Sequence, residues 1–253
     1  MRHFFTILAH EVRMLLVSPS TYVAAVAFLA VMGFIFTNIL EKYSTAPQDL
    51  SPASVFFSVY FLPVIFMVPL LTMKCLAEER RLGTIETLLT TPVTTAEVVL
   101  GKYGAAYLLY LAFWASTSGL FFILKRFAGD PRLIDSGPIL GGYLFIAVSG
   151  LLFISIGVFT SALSRNQAVA GLICTTILIL IIFGGRYLGS VSWLDRESLA
   201  PIKDAVAYGQ ISQHFLDFTR GVVDTRELLF YLSGTVLFLI FSILSVEAKL
   251  LHS

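Results

Sequence analysis

The charged positions of this chain fall in clusters, and the stretches between them are apolar and long. Counting Asp, Glu, Lys and Arg, six intervals carry no charge: 14–40, 50–73, 103–124, 136–164, 166–185 and 228–246. They hold 27, 24, 22, 29, 20 and 19 residues, and all 33 charges crowd into the remaining 112 positions. A helix needs about 20 apolar residues to cross roughly 30 Å of hydrocarbon, so each interval suffices. A charge at the centre of a span costs about 2.5–3.5 kcal/mol, which makes six such omissions systematic. Backbone groups in lipid must pair internally, leaving helices or closed barrels. Barrel strands alternate polarity at every second residue, whereas Gly171–Phe183 and Leu228–Ile243 do not. The pattern predicts an all-α polytopic membrane protein with spans at about 20–40, 53–73, 98–124, 138–163, 167–185 and 227–246.

Local signals mark the ends. Ser18-Pro19 and Ser51-Pro52 place a hydroxyl ahead of a proline suited to a first helical turn. Thr94-Thr95-Ala96-Glu97 and Asp224-Thr225-Arg226-Glu227 have capping-box spacing before spans three and six. Pro63 and Pro69 each remove a helical hydrogen bond and predict a bend or local opening in span two. Ahead of span one, Phe4, Phe5, Leu8, Val12, Leu15 and Leu16 share one helical face, with Thr6, His10 and Arg13 opposite. This predicts an amphipathic lead-in helix over 4–16, lying in the membrane interface. The first apolar core is too long for a secretory signal, and no small-x-small site follows Phe36–Leu40.

Composition agrees with this class and narrows the chemistry. Of 253 residues, 57% are apolar and 13% charged, half the roughly 25% charge of a soluble domain. A formal net charge of +1 provides no nucleic-acid surface. Two cysteines, Cys75 and Cys174, do not make a disulfide or metal framework. His3, His10, His214 and His252 all lie outside the span cores, and no span carries Asp or Glu to relay a proton. Ion-coupled carriers and intramembrane enzymes normally need such groups, so both classes are disfavoured. Asn38, Ser116, Thr117, Ser118, Ser155, Thr175 and Thr176 are expected to serve helix packing and interhelical hydrogen bonding. His214 has no neighbouring Cys or His and is a weak metal-ligand candidate. Placing both termini in the cytoplasm puts 8 Lys and Arg inside against 9 outside, a tie. The charges closest to the membrane, Arg13, Lys74, Arg80, Arg81 and Lys102, tilt the orientation towards a cytoplasmic N-terminus.

The segment between spans two and three is the most informative. Glu78, Glu79, Arg80 and Arg81 extend span two into water, Gly83 breaks it, and Thr84 is placed to cap a new helix. Leu88 and Leu89 follow Ile85 by about a turn, and Pro92 ends the element. A bare connector needs only a few residues. A short cytoplasmic helix over 84–90, lying along the membrane as a docking element for a soluble partner, is expected.

Glu78-Glu79-Arg80-Arg81-Leu82-Gly83-Thr84-Ile85-Glu86-Thr87-Leu88-Leu89, with Thr91-Pro92-Val93 and Gly101-Lys102, resembles the signature of ABC-2 type transporter permeases. His214–Asp224 is similar to the segment before the last span in the bacterial branch containing the gliding-motility and nitrous-oxide-reductase-maturation permeases. The resemblance implies a type V exporter-like permease fold in the cell inner membrane. It also implies two copies of a separate ATP-binding cassette ATPase and a second permease copy or homologous permease, an accessory extracytoplasmic protein being compatible. ATP and Mg belong to the ATPase, since no G-x-x-x-x-G-K-[ST] sequence occurs in this chain and no cofactor is expected on it.

By the same resemblance, Glu78, Glu79, Arg80, Gly83, Thr84, Glu86, Thr87, Leu88, Leu89 and Pro92 form the ATPase-coupling segment, with the lead-in helix beside it. Arg80 and Arg81 either pair with acidic groups of the ATPase or face phospholipid. Residues 186–226 form an extracytoplasmic segment in which Phe215, Asp217, Phe218 and Arg220 belong to a short interface or re-entrant helix, Asp217 and Arg220 being spaced to pair. The alternative to an exporter subunit is a membrane anchor for an ATPase-driven mechanical or maturation complex that passes no solute. The charge-free walls do not select a cargo.

Overall fold

Proline and hydroxyl side chains decide where the long apolar runs begin and break. In the computed structural model, residues 2–45, 51–83, 93–127, 135–189 and 208–250 are described. Helix α1 (Arg2–Val17) meets α2 (Pro19–Thr45) at Ser18, where proline starts the second helix. Span two comes in pieces: α3 (Pro52–Ser58), α4 (Phe61–Thr72) and α5 (Ala77–Leu82). Ser51 caps α3 by accepting from Ser54 N–H, with Pro52 in its first turn. Pro63 has no N–H to give the Val59 carbonyl, and Leu62 N–H takes that acceptor at 3.1 Å in a tighter turn. The chain therefore breaks at Val59–Tyr60, while Pro69 stays inside α4.

Span three starts with the expected capping box, Glu97 N–H on Thr94 Oγ1 (3.3 Å) and Thr94 N–H on Glu97 Oε2 (3.2 Å). It comprises α6 (Thr95–Ser116) and α7 (Ser118–Phe127), parted at Thr117, whose hydroxyl bonds Trp114 O (2.7 Å) and Tyr143 Oη (2.8 Å). Spans four to six are α8 (Ser136–Leu163), α9 (Gln167–Gly189) and α11 (Thr225–Leu250), with α10 (Ile211–Thr219) before the last. At the start of α11 the expected capping box does not form. Asp224 Oδ1 accepts from Arg226 N–H at 2.8 Å, but the buried Glu227 carboxylate does not reach back.

Among the described residues, six helical stretches are long and apolar enough to cross a membrane. The fourth is the hub: 61% of its apolar stretch is buried, against 22% for spans one and five. It is a hub because its glycines admit side chains from neighbours. Tyr110 fills the space a Cβ on Gly150 would need, and Thr72 does so at Gly157. Three tyrosines of span three donate to span-four carbonyls: Tyr103 to Leu151 (3.2 Å), Tyr107 to Ala147 (2.9 Å) and Tyr110 to Ile146 (3.3 Å). The Tyr60 hydroxyl lies between Tyr110 Oη (2.8 Å) and Ser149 Oγ (2.6 Å), completing a buried polar network. By contrast Asn38, Ser155, Thr175 and Thr176 bond carbonyls of their own helices rather than bridging spans. Exposed apolar side chains such as Val23, Phe34 and Leu172 are what a lipid-facing perimeter requires.

Candidate coupling site

At the end of the bundle that carries the N-terminus, α1 lies against α6. Glycine makes the approach close: a Cβ on Gly101 would stand 2.7 Å from Ile7 Cγ2, and one on Gly104 3.0 Å from Leu8 Cδ1. The same face of α1 carries Glu11, one turn beyond Ile7. Its carboxylate accepts from Lys102 Nζ at 2.7 Å, and Glu79 of α5 takes the same ammonium at 2.8 Å. The Lys102 side chain is 6% exposed, and those of Glu11 and Glu79 are 22% and 19% exposed. One buried ammonium thus joins the lead-in helix, the end of span two and the start of span three. A cavity of about 250 Å³ lies beside it, bordered by Thr6, His10 and Val93.

Span four closes the group from the other side. Arg80 donates to the Ala162 carbonyl at 2.5 Å. Ser161 Oγ accepts from Leu76 N–H and Ala77 N–H, both at 3.0 Å, and reaches Met73 O at 3.2 Å. One hydroxyl therefore repairs the backbone between α4 and α5, where helical bonds are missing. Gly83 ends α5 at φ +70°, a left-handed position that glycine takes without a Cβ clash.

The sequence-predicted residues divide into three groups. Glu79, Arg80 and Gly83 are brought into this assembly, whereas Glu78 and Arg81 make an exposed pair at 4.0 Å of little energetic weight. Thr84, Glu86, Thr87, Leu88, Leu89 and Pro92, with the helix expected over 84–90, lie outside the described residues. On the lead-in helix, Phe4, Leu8, Val12 and Leu15 are half-buried, while Phe5 and Leu16 are exposed at 64% and 50%. The face packed on α6 also includes Ile7 and Glu11. Those two residues and Lys102 were missed as a group. The available signal was Gly101-x-x-Gly104, a pair of small residues that invites a crossing helix around Lys102.

At the opposite end, α10 docks across span four. Phe215 and Phe218 lie 5.5 and 5.6 Å from the Phe145 ring, and Phe61 meets Phe215 at 6.0 Å. The helix ends in a Schellman motif, with Val222 N–H on Asp217 O (2.9 Å), Gly221 N–H on Phe218 O (3.0 Å) and Gly221 at φ +82°. Asp217 and Arg220 do not form an ion pair. They meet only through backbone, Arg220 N–H donating to Asp217 O at 3.1 Å. His214 is buried at 4% exposure. The Tyr208 carbonyl can only accept, so His214 donates to it from Nε2 (2.9 Å), and Nδ1 accepts from Tyr231 in the neutral ring (3.2 Å). Burial holds the imidazole below its ordinary pKa. Among the described residues no group of three or more potential ligands can hold a metal.

Six apolar spans around a glycine-notched hub, with an ionic junction at one end, define a multi-pass membrane protein whose built polar site is structural rather than catalytic. The chain belongs to the ABC-2 family of transporter proteins: the family's model matches residues 40–244. It is also similar to the "Inner membrane transport permease YhhJ" of Escherichia coli (strain K12) and of Shigella flexneri, at 26% identity over 160 residues in each case. That alignment covers 63% of this chain and 40% of each relative, so the chain matches about two-fifths of their length. As a member of this family it is not itself the ATPase.

Proposed function

We propose that this chain is the membrane-spanning subunit of an ATP-binding cassette exporter, lodged in a cell inner membrane with both termini in the cytoplasm. A separate ATPase subunit, present in two copies, engages residues 84–90 and the lead-in helix, and a second permease completes the pathway. The observation that carries this reading is the Glu11–Lys102–Glu79 junction. The segment that links α5 to span three begins and ends on helices that Lys102 ties together. A push on that segment is therefore delivered to spans two and three and to α1 as one body, rather than being lost in a flexible connector. The resemblance of His214–Asp224 favours the gliding-motility and nitrous-oxide-reductase-maturation branch.

Affinity purification of the tagged chain from its own membranes, with mass spectrometry of what accompanies it, tests the proposal. An ATP-binding cassette ATPase is expected at one copy per permease. Replacing Glu86 and Leu88 together should reduce its recovery while membrane insertion is unchanged. Recovery without any nucleotide-hydrolysing companion, with full activity, would overturn the reading.

A further inference from the structure

A crevice runs along the flank of the bundle between spans one and two. Its larger part, about 330 Å³, is walled by Phe28, Val31, Pro63, Phe66 and Phe113 and presents no polar side chain. Ala24, Leu70 and Leu71 wall this part and also a second cavity of about 110 Å³, so the two cavities adjoin. The second cavity is bordered by Ser18, Thr21 and Lys74. Ser18 is the elbow between α1 and α2, and Lys74 lies in the break after α4. The polar end therefore coincides with the level at which the spans leave the hydrocarbon, on the side of the ionic junction. Lys74 is exposed and has no acidic partner among the described residues.

We propose that this crevice holds one anionic glycerophospholipid of the leaflet bordering the lead-in helix. One acyl chain occupies the apolar part, and the phosphate sits at Lys74 with the Ser18 and Thr21 hydroxyls. Charge complementarity selects this occupant. The lining changes from wholly apolar to cationic and hydroxylated towards the elbow at Ser18, and the membrane supplies an amphiphile divided in the same way at that depth. A protein segment would need both an apolar ridge and an acidic group in the same register. A lipid seated there braces the elbow at Ser18 and so the angle between α1 and span one. The proposal stands independently of the transport reading and of the cargo.

The test uses the full chain, purified in detergent, delipidated, and offered phosphatidylglycerol, phosphatidylcholine or inorganic phosphate, with bound lipid counted by native mass spectrometry. The expected result is one phosphatidylglycerol retained per chain in preference to phosphatidylcholine. Lys74→Gln should lower that preference about tenfold, the effect of losing one charge-assisted contact. Ala24→Leu, which adds bulk to the wall that both cavities share, should lower retention of both lipids. If Ala24→Leu does not fold, Lys74→Gln at its exposed position still decides the matter. Equal retention of both lipids by the unaltered chain means an ordinary boundary lipid and overturns the proposal. So does phosphatidylglycerol retention unchanged by Lys74→Gln, or displacement of the lipid by inorganic phosphate alone. Loss of self-association in Ala24→Leu, with lipid retention intact, would assign the crevice to a second copy of the chain instead.

Discussion

Replacing Lys102 by Met keeps most of the side-chain length and removes the ammonium that Glu11 and Glu79 share. Both carboxylates lie within hydrogen-bond distance of Nζ, at 2.7 and 2.8 Å, so the two bonded oxygens are at most about 5.5 Å apart. Two unit charges at that separation repel by about 3 kcal/mol at an effective dielectric of 20. Breaking a buried ion pair by removing one partner costs about 3–5 kcal/mol in general. Here the carboxylates retain 22% and 19% exposure, and hydration relieves part of the penalty. The lower end of the range, about 3 kcal/mol, is expected. For a chain of this size that corresponds to a melting point lower by about 6–12 °C. Heating the detergent-purified protein and measuring the monodisperse fraction by fluorescence-detected size exclusion reads the shift. Combining Lys102→Met with Glu11→Gln and Glu79→Gln removes all three charges, and most of the lost stability should return. A single variant within about 2 °C of the unaltered protein would refute the reasoning. So would a triple variant as unstable as the single one.

Four further outcomes follow from the geometry. Gly101→Ala places a methyl against Ile7 and should cost about 1–3 kcal/mol of overpacking, seen as an increased spin-label distance between α1 and α6. Ser161→Ala strips the acceptor from Leu76 N–H and Ala77 N–H and should cost about 1–3 kcal/mol, with faster amide exchange at those two positions. Tyr60→Phe removes the central hydroxyl of the buried network and should lower stability by about 0.5–1.5 kcal/mol, whereas the exposed Tyr22→Phe changes nothing measurable. Because burial lowers the His214 pKa, the docked state binds fewer protons than the undocked one. The stabilisation is present above the ordinary histidine value of about 6.5 and is lost as the pH falls below it. Labelling of a cysteine introduced at Phe215 should therefore rise from pH 7.5 to pH 5 by more in the chain with His214 than in a His214→Asn control that keeps every other pH-dependent group, and equal profiles would contradict this.

Much of the bundle could be read before folding was considered, and the coupling site only in part. The capping box at Thr94, the cap at Ser51 and the stop at Gly83 are local, so their residues announced them. The lead-in helix was legible as a helix, but its packed face was not. The apolar stripe that marks an interface helix includes Phe5 and Leu16, which face away from the bundle, and does not reveal that Ile7 and Glu11 face α6. Arg80 illustrates the same limit. Its sequence context offers a partner's acid or a phospholipid and does not reveal that it also donates to Ala162, 82 residues away.

From its order of residues alone, the chain determined its solvent, its number of spans and most of its helix ends. Those properties follow from each segment's own balance of apolar and charged groups against lipid and water. Tertiary structure alone decided which proline breaks span two, which serine repairs it, and that Lys102 is buried between two carboxylates. A charge at the end of a span looks the same in sequence whether water or a residue 91 positions away satisfies it. Only the arrangement of neighbouring helices distinguishes the two.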